Sequence, residues 1–164
     1  MHPAWAGAGG NWPAIDEVVD ARVVRQESEF SCAAACAQML LRERGIDVTQ
    51  AIIEQVTGVP IAPGMLASAL NQFDPDPSGQ WKGGFLDLPG ATEWQVVEIL
   101  NNTGLWAAVF WEIGARIGHM VIVEGLARSG YILILDPWEG TRYRMKKEDF
   151  LQYWNLTGVY WSLG

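Results

Sequence analysis

Two cysteines, a histidine, an aspartate and a glutamine carry most of the chemistry this sequence offers. Cys32 and Cys36 stand one helical turn apart in "RQESEFSCAAACAQMLLRERG" (25 to 45), with three alanines between them. The pair reads as a zinc half-site, a disulfide, two core thiols, or one nucleophile beside a bystander. A structural zinc site requires four ligands, and no second Cys/His pair exists. Side chains at this spacing lean along the same helix face, which disfavours a disulfide. Cys32 falls in the first turn, where unpaired backbone N–H groups and the positive end of the helix dipole favour a thiolate. Cys36 lies a turn further in, on the stripe with Met39 and Glu43, and is expected to be buried and less reactive. Gln26 precedes Cys32 by six residues. Its amide and the Cys32 N–H could together supply two donors to an oxyanion; taken alone, Gln26 reads as a surface glutamine.

The histidines are His2, near the N-terminus, and His119. His119 opens the apolar run "HMVIVEG" (119 to 125), and Asp136 closes the next run, "YILILDP" (131 to 137). If these form a hairpin that turns symmetrically about 127/128, residue 119 faces residue 136. Directly opposed residues share a sheet face with Cβ atoms roughly 5 Å apart. A carboxylate there fixes the tautomer of the imidazole and steadies the imidazolium that forms during proton transfer. A core histidine next to a structural Asp-Pro turn is the plainer alternative, and a one-residue bulge would break the register argument.

Positioning these groups requires a helix that starts at the cysteine and a sheet that follows much later. Ser31 is a plausible N-cap, residues 32 to 44 favour helix, and Gly45 stops it. Further helices are expected over 47 to 58, capped by Thr49 or Asp47, over 62 to 73 and over 92 to 104. The Pro-, Gly- and Asp-rich stretch 74 to 90 reads as a loop. Strands are expected at 105 to 111, 119 to 125, 131 to 137, 141 to 145 and 158 to 163, with a small helix or turn at 146 to 154. Helices first and an antiparallel sheet second make an α+β domain. The expected organisation is an N-terminal arm or linker over 1 to 20 and one domain over 21 to 164.

The ordered set Gln26, Cys32, His119 and Asp136-Pro137 resembles the papain-like cysteine peptidase superfamily. Two groups within it are nearest. The bacteriocin-processing peptidases, which cut leader peptides after a double glycine, carry a pattern matched here by Gln26, Cys32, Cys36 and Met39. The papain-like effector peptidases of bacteria resemble "GHMVIVEGL", "ILILDPWEGTRYRM" and "FLQYW", within residues 118 to 154. The likeness covers roughly residues 23 to 161. It implies a papain-like fold, with an N-terminal helical lobe carrying the cysteine and a C-terminal antiparallel sheet carrying His and Asp. It also implies roles. Cys32 would be the nucleophile, His119 the general base and then acid, and Asp136 its orienting group; Gln26 and the Cys32 N–H would form the oxyanion hole. Ala33 departs from the Gly or Trp often found after the cysteine. Two tryptophans are candidate substrate contacts: Trp138, beside the Asp-Pro pair, and Trp81, in the Gly-rich loop. Core packing is the plainer reading of Trp138.

The expected activity is hydrolysis of a peptide or protein amide bond through a thioester, with no metal and no cofactor, in a bacterial toxin or effector module. The alternatives are a free-standing leader peptidase, a glutamine deamidase or transglutaminase on the same residues, and a degenerate papain-fold binding module. The expected partners are a peptide or protein substrate and an immunity or inhibitor protein. A net charge of −8 disfavours nucleic acid, and no stretch is long and apolar enough to insert in a membrane. The N-terminus lacks the basic region and apolar core of a signal peptide. The expected location is cytoplasmic in the producing cell, or exported without a signal peptide of its own.

Overall fold

In the computed structural model of the chain, the described residues are 12–86, 88–111 and 118–164. Among them, five helices pack on one seven-stranded sheet. In chain order the elements are β1 (Ile15–Val19), α1 (Cys32–Glu43), α2 (Gln50–Thr57), α3 (Pro63–Phe73), β2 (Gly79–Phe85) and α4 (Glu93–Asn101). Then come β3 (Trp106–Phe110), β4 (His119–Leu126), β5 (Ile132–Asp136), β6 (Thr141–Met145), α5 (Lys147–Tyr153) and β7 (Trp154–Leu163). The sheet order is β1-β6-β5-β4-β3-β7-β2, and each neighbouring pair is antiparallel. The α+β class and the two-part layout expected from the sequence are what the chain adopts.

Both faces of the sheet are covered, which explains why its central strands read as unbroken apolar runs rather than alternating ones. Successive side chains of a strand point to opposite faces. Ala107, Val109, Met120, Ile122 and Val159 pack toward α1, α2 and α3. Trp106, Ala108, Phe110, Val121 and Val123 pack toward α4 and α5 with Val96, Leu100 and Phe150. Helix α1 is the most deeply buried helix. Ala33, Ala34, Ala35 and Ala37 are 3 % exposed or less, and such small side chains let the helix lie close to β4. Thr49 caps α2 by accepting from the Ile52 N–H, and Thr92 with Gln95 forms a reciprocal capping box on α4.

Several sequence expectations need correction. The arm is not wholly separate: its residues 15 to 19 form β1, which pairs with β6 from Ile15↔Arg144 to Val19↔Thr141. Residues 1–11, including His2, lie outside the described residues. The expected loop at 74 to 90 contains β2, which pairs with β7 from Gly79↔Leu163 to Phe85↔Thr157. Its glycines suggested a turn, but one of them makes room for a helix: a Cβ at Gly83 would overlap the Pro63 carbonyl oxygen at the start of α3. Ser31 does not cap α1 with its side chain. Its hydroxyl lies 2.6 Å from the Ser28 hydroxyl, so it leaves the first-turn N–H groups of α1 uncapped.

Candidate active site

Three element ends converge. Cys32 is the first residue of α1, His119 the first of β4 and Asp136 the last of β5. Helix α1 is anchored to β4 where the Cys36 thiol donates to the Met120 carbonyl oxygen, at 3.4 Å. Cys32 lies one turn, about 5.4 Å, nearer the helix start. His119 belongs by parity to the face that bears Val121, opposite the face α1 covers. Because His119 opens its strand, its ring sits at the end of the sheet, where it can reach the helix start. Gly118 precedes it closely against β3, and a Cβ there would collide with the Val109 side chain.

The His119 and Asp136 side chains do meet, although not through the expected register. The β4–β5 hairpin closes with Leu126↔Ile132, and a bulge between Val123 and Gly125 then leads to Ile122↔Leu135. Continuing that pairing places Asp136 opposite Val121, two residues from His119. A two-residue offset preserves the sheet face, so the pair is diagonal rather than direct, still within reach for long side chains. His119 Nε2 lies 2.7 Å from Asp136 Oδ1, with side-chain exposures of 2 % and 0 %. The Trp138 backbone N–H also donates to Oδ1 (2.9 Å), and the Tyr143 hydroxyl donates to Oδ2 (2.7 Å). Trp12 Nε1 donates to the Tyr143 oxygen at 2.8 Å, and the indole stacks on the His119 ring at 5.8 Å between centroids.

Electrostatics follow from this enclosure. Burial works to strip His119 of its proton. The Asp136 charge and hydrogen bond oppose burial, as does a hydrogen bond with Cys32, and together they raise its pKa from 6.5 to about 10. His119 is therefore an imidazolium at neutral pH. With Nε2 committed to Asp136, Nδ1 is the nitrogen left for the sulfur. Cys36 is opposite in character: burial, then the negative charge of Cys32 and Asp136, push its thiol well above the usual range. Both cysteines are free. Among the described residues, no group of three or more His, Cys, Asp or Glu side chains could hold a metal ion, and no helix is long and apolar enough to cross a membrane.

Gln26 reaches this region through its backbone, whose N–H donates to the Pro137 carbonyl at 2.7 Å. Its side chain is 8 % exposed, but both amide N–H groups are spent on the following turn, at Ser28 O (2.7 Å) and Glu29 O (3.2 Å). Oε1 has no hydrogen-bond partner among the described residues. The turn that fills the place of a Ser31 cap thus holds the Gln26 amide as well. Gln50, buried at the start of α2, grips the chain on either side: Nε2 donates to Arg25 O (2.8 Å) and Oε1 accepts from the Glu27 N–H (3.1 Å). Replacing Gln50 with alanine strands both backbone groups. We expect a loss of about 2 kcal/mol, read from the urea midpoint, with faster amide exchange at Glu27.

Beside Cys32 opens a cleft of about 360 Å³, lined mainly by apolar groups that include Phe30, Ile61, Val109, Trp111 and Met120, with Asn155 and Thr157 as its polar members. Trp138 is half-buried and serves Asp136 through its backbone. Trp81 does not line this cleft. It is 4 % exposed in β2, donates to Asp74 Oδ2 at 3.1 Å and meets Trp161 edge-on at 5.5 Å, so its place is in the packing of β2 rather than in a mobile loop. Sequence reasoning missed Trp12, Tyr143 and Gln50. The alternation in "TRYRM" held a signal for Tyr143, since Asp136↔Thr141 pairing puts residue 143 on the Asp136 face. For Trp12 and Gln50 no local signal existed.

The sequence matches the Peptidase_C39 like family over residues 18–160. It is 40% identical over 155 residues to Cysteine protease effector 1 of Escherichia coli O1:K1:H7, an alignment covering 94% of this chain and 29% of that protein. The fold resembles the peptidase domain of Streptococcus ComA, described as a bifunctional ABC transporter of a quorum-sensing pathway. The TM-score is 0.68 and the identity 16%, over 86% of this chain and 97% of that one. It also resembles a double glycine motif protease from an AMS/PCAT transporter, solved with its leader peptide, with a TM-score of 0.64 and 17% identity over 92% and 94% of the two chains. The chain belongs to the Peptidase_C39 like family.

Proposed function

We propose that this chain hydrolyses a peptide or protein amide bond with Cys32 as nucleophile, His119 as acid and base, and Asp136 as the group that orients His119. The observation that carries the reading is the buried hydrogen-bonded chain from Asp136 through His119 to Cys32 at an uncapped helix start. In the first half-reaction the thiolate attacks the carbonyl carbon. The imidazolium gives its proton to the leaving nitrogen, the C–N bond breaks, and a thioester to Cys32 remains. In the second, His119 takes a proton from water, whose oxygen attacks the thioester; acid and free Cys32 are released. The developing oxyanion has the Cys32 N–H as one donor. Gln26 is the second, once it gives up its longer bond to Glu29 O.

The name of the E. coli relative supports a role as an effector, and the AMS/PCAT enzyme makes a double-glycine peptide the first substrate to try. The deciding experiment maps new protein N-termini made by wild type and not by Cys32→Ala. A set of Cys32-dependent termini establishes the peptidase and its specificity. Cys32-dependent ammonia release from glutamine without new termini would instead assign deamidation. Identical products from both proteins would remove Cys32 from the mechanism.

A further inference from the structure

Trp12 lies ahead of the family match, which begins at residue 18, in a stretch whose sequence reads as an arm. It is nevertheless 5 % exposed and packs on catalytic-site groups: its ring stacks on His119, tilted by 22°, and meets Phe110 edge-on at 4.9 Å. Hydrogen-bond chemistry gives the contact a direction. An indole N–H only donates, so the Tyr143 oxygen must accept from it at 2.8 Å. A hydroxyl has one proton, which then goes to Asp136 Oδ2 at 2.7 Å. An ionised carboxylate only accepts, so Oδ1 takes a proton from His119 Nε2. The donor order is therefore Trp12, Tyr143, Asp136, with His119 donating from the other side, and only Nδ1 of the ring is left for Cys32.

We propose that Trp12 is a positioning residue that, through Tyr143, fixes Asp136 and His119, so that the segment ahead of the family-matched region completes the active site. Trp12 acts on the site through its ring contact with His119 and its hydrogen bond to Tyr143. Its indole holds the plane of the imidazole, and its N–H denies the Tyr143 hydroxyl any orientation except the one facing Asp136. Without that N–H the phenol loses the partner that fixes its orientation, and the hold it shares with the Trp138 N–H on the Asp136 carboxylate loosens. The inference rests on the assignment of Cys32, His119 and Asp136 to catalysis.

The test uses the full chain and iodoacetamide, which needs no knowledge of the substrate, with alkylation of Cys32 followed by mass spectrometry across pH. Trp12→Phe keeps an aromatic ring but lacks the donor. We expect Cys32 alkylation to slow about fivefold near pH 6, where His119 is charged, and to converge with wild type near pH 10, where His119 loses its proton. Tyr143→Phe should behave alike, and the double variant should be no slower than Tyr143→Phe alone, because both changes cut one relay. Should Trp12→Phe fail to fold, β-(3-benzothienyl)alanine at position 12 preserves the indole shape without the N–H and must show the same deficit. Wild-type rates at every pH would overturn the proposal, as would a slowing of equal size at all pH values or effects that multiply in the double variant. If Cys32 in wild type reacts no faster than an ordinary thiol near pH 6, the catalytic assignment itself fails. If it is fast and the Trp12 variants match it, only the positioning role fails.

Discussion

Cys32→Ala should abolish peptide hydrolysis, lowering kcat by at least about 10⁴-fold, while Cys36→Ala should stay within about threefold of wild type. The two thiols share a helix and a burial class, with exposures of 7 % and 0 %, so burial alone does not separate them. Their neighbours do. Cys32 hydrogen-bonds an imidazole that stays protonated through neutral pH, and it stands where the helix presents unpaired N–H groups. Cys36 donates to the Met120 carbonyl and is pushed toward its protonated form. An attacking sulfur requires an access route and a proton donor for the leaving group; Cys32 opens on the cleft beside the His119 imidazolium, whereas Cys36 does not line it. Iodoacetamide should accordingly modify Cys32 in the native protein near neutral pH and reach Cys36 only after unfolding. Turnover of a double-glycine peptide by the two alanine variants, with intact-mass analysis of alkylated protein, checks both statements. Equal labelling of the two cysteines in the folded chain would contradict them.

How much of this was legible in the sequence depends on how far each residue's partner lies along the chain. Helix α1 announces itself through four alanines, an apolar stripe and a terminating glycine, and it begins at the residue expected. The meeting of His119 and Asp136 was legible for a more general reason than the register that predicted it. Strand periodicity is two, so a register error of two residues leaves both groups on one face, whereas an error of one would have separated them. The bulge at Glu124 and the wider turn together shifted the hairpin without changing that parity. Elements whose justification is distant were not legible. Strand β2 consists of Gly-rich residues that look like a turn until α3 and β7 are placed against it. Trp12 reads as part of a linker until Tyr143, 131 residues later, accepts its hydrogen bond. The Ser31 cap failed because a nearer hydroxyl, Ser28, competes for it. Local hydrogen bonds of this kind routinely displace a cap expected from residue type.

Asp136→Asn should produce the second large effect, a fall in kcat of about 10³–10⁴-fold together with a changed pH profile. Asparagine keeps the size of the side chain but removes the charge that opposes burial around His119. In the wild type, that charge and its hydrogen bond are the largest of the effects that raise His119 to about 10 against burial, ahead of those from Cys32; without them the balance shifts toward the neutral imidazole. Fewer imidazolium protons then stand ready for the leaving nitrogen. The linkage has a definite sign. A histidine whose folded pKa exceeds its unfolded value of 6.5 adds stability that is fully present below about pH 6.5 and is lost as pH rises toward about 10. Wild-type activity should therefore be level through neutral pH and decline on approaching pH 10, and wild-type stability should fall over the same alkaline window. In Asp136→Asn the residual activity should lack the level stretch through neutral pH and the decline toward pH 10, and the stability contribution lost between about pH 6.5 and 10 should disappear, because the neutral imidazole no longer gains a proton on folding. Urea melts of both proteins at pH values across that window, alongside pH–rate profiles on one peptide substrate, measure the two consequences separately. An asparagine variant that retains the wild-type alkaline profile would mean that the field holding His119 charged comes from somewhere other than Asp136.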